Sequence, residues 1–160
     1  MPLSFSPEAA KKIEALRGRY PDAMSTCLPV LHLAQDEFGH LGGEVVGLVA
    51  RTLDLPEAHV WGVITFYTMF HQRPVGKNVL LVCTNVSCML TGGYGVLDQL
   101  KQRLGIQPGE TTPDGKFTLI EEECLAACAD APAALCAREY FLRLDSPDKV
   151  DAMLAALGSG

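Results

Sequence analysis

Val79-Leu80-Leu81-Val82-Cys83-Thr84-Asn85-Val86-Ser87-Cys88 decides how the second half of this chain is read. Four apolar residues in a row, without alternation, form a strand of the kind buried on both faces. The run ends in a cysteine, and a second cysteine completes a C-x4-C pair in the loop that follows. Downstream, Pro113-Asp114-Gly115 makes a turn into a second strand, Phe117-Thr118-Leu119-Ile120. That strand leads into Cys124-Leu125-Ala126-Ala127-Cys128, a C-x3-C pair. Between the strands, Val96 to Leu104 is predicted helical, with Leu97, Leu100 and Leu104 on one side and Gly105 as its stop.

Beyond the second pair, Ala134 to Leu144 is predicted as a strand pair. Ser146-Pro147-Asp148 caps a last helix through Val150, Met153, Leu154 and Leu157. The order β-α-β-β-β-α is a thioredoxin-like plan. In such a sheet both cysteine pairs leave strand ends on the same edge.

Upstream the pattern changes. Ser6-Pro7-Glu8 supplies an N-cap, a proline at the first helical position and an early acid, with Gly18 as the stop. Leu28, Leu31, Gln35 and Phe38 share a second helical face closed by Gly39. Val45, Val46, Val49 and Leu53 mark a third helix. Pro56-Glu57 opens a fourth, with Val60, Val63 and Ile64 as its apolar positions. The punctuation Arg73-Pro74-Val75-Gly76-Lys77-Asn78 separates the two regimes. The expected fold is therefore α+β: an N-terminal helical bundle over residues 1–71, then a thioredoxin-like α/β domain over residues 72–160.

Composition narrows the function. Of 160 residues, 13 are Lys or Arg and 19 are Asp or Glu, giving a net charge of −6 divided evenly between the two regions. An acidic chain without a basic cluster argues against nucleic acid or an anionic membrane surface as partner. No apolar run is long enough to cross a bilayer, so direct membrane insertion is not expected. The first residues lack the basic start and apolar stretch of a secretory signal, which predicts a reducing compartment. There, paired cysteines read as metal ligands or redox groups rather than structural disulfides.

Four thiolates converging from two loops suit zinc or an iron–sulfur cluster. Structural zinc sites favour tight C-x2-C knuckles, so the wider C-x4-C and C-x3-C spacings favour [2Fe–2S], with zinc left as the alternative. A thioredoxin-type dithiol would need C-x2-C at a helix N-terminus, which neither pair has. Cys27 and Cys136 read as small core residues. His32, His40, His59 and His71 share no ligand spacing.

Several segments resemble, in order, the 24-kDa (E) subunit family of respiratory complex I. Val82-Cys83-Thr84-Asn85-Val86-Ser87-Cys88-Met89-Leu90 is similar to that family's first ligand loop. Gly109-Glu110-Thr111-Thr112-Pro113-Asp114-Gly115-Lys116-Phe117-Thr118-Leu119 resembles the segment before its second. Glu123-Cys124-Leu125-Ala126-Ala127-Cys128 with Ala131-Pro132 resembles the second loop itself. Val63-Ile64-Thr65-Phe66-Tyr67-Thr68-Met69-Phe70 resembles its signature at the end of the helical region.

The resemblance implies a thioredoxin-like ferredoxin domain with one [2Fe–2S] cluster on Cys83, Cys88, Cys124 and Cys128. It implies an F-type, 51-kDa-like flavoprotein partner that alone carries FMN and NADH. It also implies contact with other peripheral-arm subunits, on the cytoplasmic side of the inner membrane. The chain would be a non-NADH-binding subunit of NADH dehydrogenase (quinone), with no complete active site of its own. The same module occurs in soluble NAD-linked formate dehydrogenases and hydrogenases, which is the alternative assembly; a zinc-stabilised interaction module is the alternative class.

Two departures carry expectations. The family often has Gly where Ala126 stands, so this loop is expected to do without a φ > 0 residue there. Ala137-Arg138-Glu139 replaces the usual Asn-containing turn and leaves the following hairpin without its turn chemistry. Glu121-Glu122-Glu123 is expected to lower the cluster's potential. Phe66-Tyr67-Thr68-Met69-Phe70 either docks on the flavoprotein or packs between the bundle and the sheet domain.

Overall fold

The computed structural model describes residues 3–158. The chain divides into two compact units, one ending at Pro74 and the other beginning at Val75.

Among the described residues, the first unit holds four helices. α1 (Pro7–Arg17) begins where Ser6 accepts a hydrogen bond from the Ala9 N–H at 3.2 Å, and Gly18 caps its end. α2 (Ala23–Phe38) starts at Asp22, whose carboxylate accepts from the Ser25 N–H and hydroxyl, both at 2.7 Å. Those bonds hold the Asp22 carboxyl below the usual range. α3 (Gly43–Leu53) and α4 (Glu57–Phe66) complete the unit. Its core is Ile13, Cys27, Val30, Leu31, Ala34, Leu41, Val46, Val49, Leu53, Val60, Ile64 and Phe70.

Gln35 is the polar member of an otherwise apolar face, and its amide explains its place. Gln35 Nε2 donates to the Met69 carbonyl at 2.9 Å, and Oε1 accepts from the His71 N–H at 2.7 Å. The His71 carbonyl in turn accepts from the Leu41 N–H at 2.7 Å. The segment after α4 is thereby folded back onto its own unit, with Phe70 buried against His32 and Tyr67. The Phe66–Phe70 stretch is thus not one patch: Phe70 is core of the helical unit, while Phe66 is 77% exposed.

The second unit is a four-stranded sheet of order β2-β1-β3-β4, formed by β1 (Asn78–Cys83), β2 (Phe117–Glu122), β3 (Ala134–Cys136) and β4 (Glu139–Phe141). β1 and β2 are parallel, with Leu80 opposite Leu119; β3 runs antiparallel to β1 and to β4. The helices are a short α5 (Val86–Leu90), then α6 (Gly93–Leu104) and α7 (Pro147–Gly158). Leu80, Val82, Leu119 and Ala134 form one core with Val96, Leu97 and Leu100 of α6 and Val150 and Met153 of α7. Successive strand residues point to opposite faces, so Leu81 and Cys83 belong to a second cluster, with Cys88, Leu125, Ala133 and Leu135. Cys27 and Cys136 are each buried in a core, where desolvation pushes both thiols up, Cys27 to about 11.

The hairpin that lacked turn chemistry forms nonetheless. Cys136 pairs with Glu139 across a two-residue loop, and Ala137 supplies the positive φ, +53°, that Gly or Asn would supply without strain. Replacing Ala137 by Gly removes that strain at some cost in chain entropy, for a net gain of about 0.5–1 kcal/mol. The thermal midpoint of A137G should rise by a few degrees; a midpoint unchanged or lowered would show that the turn is not strained.

Candidate metal centre

Cys83 is the last residue of β1, and the parallel pairing of β1 with β2 brings the chain after β2 to the same edge of the sheet. The first pair is drawn inward. Cys83 and Cys88 are buried, because α5 turns Cys88 back towards the end of β1. From the sequence Cys88 is expected in the loop after the first strand, whereas it lies in α5. A five-residue helix is too short for a periodic signal, and Asn85 at its start was the one available cue.

Behind this pair Gly93 lets α6 approach backbone to backbone. A Cβ on Gly93 would lie 2.8 Å from the Cys83 carbonyl oxygen and 2.9 Å from that of Cys88. Across the strands, the Thr84 hydroxyl donates to Glu121 Oε1 at 2.9 Å, and the Thr84 N–H donates to the Glu122 carbonyl at 3.2 Å.

The second pair faces outward. Cys124 and Cys128 are exposed, while Leu125 between them is buried. Cys128 opens a single 3-10 turn, Cys128–Asp130. Arg143 holds that turn, its N–H donating to the Asp130 carbonyl and its Nε to Asp130 Oδ1, both at 2.8 Å. Contrary to the sequence expectation, Ala126 takes a φ of +56°. The left-handed turn lets the Ala126 N–H donate to Cys124 Sγ at 3.3 Å while the Leu125 side chain is buried.

The Cys88 thiol is pushed up to about 11, first by desolvation, then by its hydrogen bond with Cys83 and by the charges of Cys83 and Cys128; a hydrogen bond with the Ala133 backbone opposes the rise. The Cys83 thiol donates to the Glu123 carbonyl at 3.9 Å. Cys88 thus interacts with both Cys83 and Cys128, and Cys124 lies in the same short segment as Cys128. Among the described residues, no three His, Cys, Asp or Glu side chains gather closely enough to hold a single ion.

The donor set fits an iron–sulfur cluster by its chemistry. It is four thiols in two pairs, one from the end of β1 and α5 and one from the segment after β2, with an N–H directed at one sulfur, the kind of contact that tunes ligand sulfurs in such centres. All four histidines lie in the helical unit. His71 is half-buried there, where desolvation lowers its pKa, and His32 packs at a tilt against Phe70. Among the described residues, no helix is long and apolar enough to cross a membrane.

Residues 13–158 match the family described as Thioredoxin-like [2Fe-2S] ferredoxin. The chain is 46% identical over 144 residues to the second E-type subunit of NADH-quinone oxidoreductase from Rhizobium meliloti (strain 1021), covering 90% of this chain and 85% of that one. It is 41% identical over 144 residues to the E-type subunit of NADH-quinone oxidoreductase from Mycobacterium bovis (strain ATCC BAA-935 / AF2122/97). There the match takes in 88% of this chain but only 57% of the relative. An NAD+-reducing [NiFe]-hydrogenase in the air-oxidized state aligns with a TM-score of 0.71 at 24% identity, over 83% of this chain and 23% of its own. That last likeness is one of fold.

Proposed function

We propose that this chain, which belongs to the thioredoxin-like [2Fe–2S] ferredoxin family, is the E-type electron-transfer subunit of an NADH-quinone oxidoreductase, with one [2Fe–2S] cluster held by Cys83, Cys88, Cys124 and Cys128. The delivery of four thiols to one edge of a parallel strand pair carries the reading. The bound cluster supplies a one-electron carrier. The chain's own residues do the rest. Cys83 and Cys88 anchor the buried side, behind Leu81 and Leu135. Cys124 and Cys128 leave the other side open, the natural side for electron exchange with a partner.

Binding requires all four thiols to lose their protons, so loading releases protons and weakens as the pH falls. Iron and sulfide analysis with EPR of the reduced protein tests the reading. Two irons, two sulfides and a rhombic signal per chain are expected; one zinc without a signal would replace it with a zinc-stabilised module.

The partner is proposed to be the F-type, 51-kDa-like flavoprotein carrying FMN and NADH, alongside other peripheral-arm subunits at the cytoplasmic face of the inner membrane. Exposed Phe66 and Met69 suit such a contact, since aromatic and Met side chains anchor interfaces. Phe66→Ala should weaken co-purification with the flavoprotein and leave the unfolding curve unchanged. Phe70→Ala should instead destabilise the helical unit by about 3 kcal/mol. Undiminished pairing of F66A would exclude this face. Co-purification with a formate dehydrogenase or hydrogenase subunit in place of the quinone-reducing arm would move the chain to that assembly.

Glu123 is exposed and adjoins Cys124. An acid there opposes added negative charge, so Glu123→Gln should raise the midpoint potential by on the order of tens of millivolts, more at low salt. An unchanged midpoint would assign Glu123 to solvent alone.

A further inference from the structure

One peptide plane in the second cysteine loop is held from both ends. The Leu125 carbonyl and the Ala126 N–H belong to it. The N–H donates to Cys124 Sγ at 3.3 Å, and the carbonyl accepts from the Tyr140 hydroxyl on β4 at 3.1 Å. A trans peptide is rigid and points its C=O and N–H in opposite directions, so fixing one fixes the other. The conformation is not free. Ala126 sits at φ +56°, where an L-residue is strained. Rotation of this plane about its flanking Cα atoms would relieve that strain and turn the carbonyl oxygen, instead of the N–H, towards the sulfur. The Tyr140 hydroxyl bond is what opposes the rotation. Further along, Arg143 ties down Asp130, so the loop is fastened to β4 and the residues after it on both sides of Cys128.

We propose that Tyr140 is a positioning residue that locks the Leu125–Ala126 peptide so that its N–H faces Cys124 Sγ, and thereby raises the reduction potential of the centre. Tyr140 touches none of the four sulfurs in its hydrogen bonding; it acts through one peptide. The proposal rests on the reading of the four cysteines as cluster ligands. An N–H directed at a ligand sulfur stabilises the reduced, more negative state, whereas a carbonyl oxygen directed there disfavours it.

The test is the midpoint potential of the full-length holoprotein, followed by EPR, in three variants: Y140F, A126G and Y140F/A126G. Y140F removes only the hydroxyl and should shift the midpoint to a more negative value. Glycine at 126 removes the penalty on positive φ, so the double variant should recover most of the shift, and A126G alone should not fall below wild type. EPR reads loaded molecules only, so partial loss of the cluster does not obscure the result. Complete loss in Y140F that the double variant restores supports the lock equally. A wild-type midpoint in Y140F overturns it. So does a lowered midpoint, or a lost cluster, that A126G does not recover, because a general loosening of β4 would not respond to the backbone preference at residue 126. A wild-type chain that binds no iron and sulfide overturns the cluster reading and this proposal with it; a normal wild-type cluster with an indifferent Y140F overturns the lock alone.

Discussion

Cys124→Ala is expected to abolish the [2Fe–2S] signal while leaving the fold of the cluster-free protein almost untouched. Cys124 is exposed and belongs to no core cluster, and its sulfur accepts one hydrogen bond, from the Ala126 N–H, which water can replace. Surface changes of this kind fall within about 0.5 kcal/mol. The loss of function should nevertheless be complete, because each iron of a binuclear centre needs both of its protein thiolates and an alanine offers no donor. Cys88→Ala makes the contrast. Cys88 is 2% exposed and packs with Cys83, Leu125 and Ala133, so removing its sulfur opens a void as well as deleting a ligand. C88A should therefore lose both the cluster and about 1–2 kcal/mol of stability. The comparison must be made on cluster-free chains, since a bound metal centre adds its own binding energy to the folded state. Full iron and sulfide in C124A, with an unaltered EPR signal, would remove Cys124 from the ligand set.

Legibility differed between side-chain chemistry and backbone geometry. Residues whose type announces their place were readable: Ser6 and Pro7 at a helix start, Gly39 and Gly105 at helix ends, the Val79–Val82 run as a central strand. The placement of the two cysteine pairs after the first and second strands was legible for the same reason, since the apolar runs that precede them announce β1 and β2. What escaped depends on one backbone meeting another. Ala126 and Ala137 both adopt positive φ, although alanine carries no signal for it, and tertiary contacts impose the conformation. Gln35 read as an apolar-face residue because its role lies in the unpaired backbone of a segment some 35 residues away along the chain. The Phe66–Phe70 run read as a unit, but the chain reverses within it. Tyr140 lies within the predicted strand pair with no local signal of a partner; only the three-dimensional pairing reveals which carbonyl its hydroxyl meets.

Gly93 carries the second large expected effect, and its neighbour Gly95 shows why residue type alone does not predict it. Both lie in the first turn of α6, and helix propensity favours Gly→Ala at each by up to about 1 kcal/mol. At Gly95 nothing lies within 4 Å of an added Cβ, so propensity decides, and G95A should stabilise the chain by about 0.5 kcal/mol. At Gly93 the same methyl would meet the Cys83 oxygen at 2.8 Å, the Cys88 oxygen at 2.9 Å and the Cys88 carbonyl carbon at 3.0 Å. All three are backbone atoms, so no side chain can swing aside. Either α6 or the first cysteine loop must shift, and overpacking of this kind costs about 1–3 kcal/mol, more than propensity returns. G93A should therefore unfold at lower denaturant than wild type. Because the displaced carbonyls belong to Cys83 and Cys88, it should also hold less iron per chain, a defect that G95A does not share. A G93A protein as stable and as fully loaded as wild type would mean that α6 does not brace the first cysteine pair.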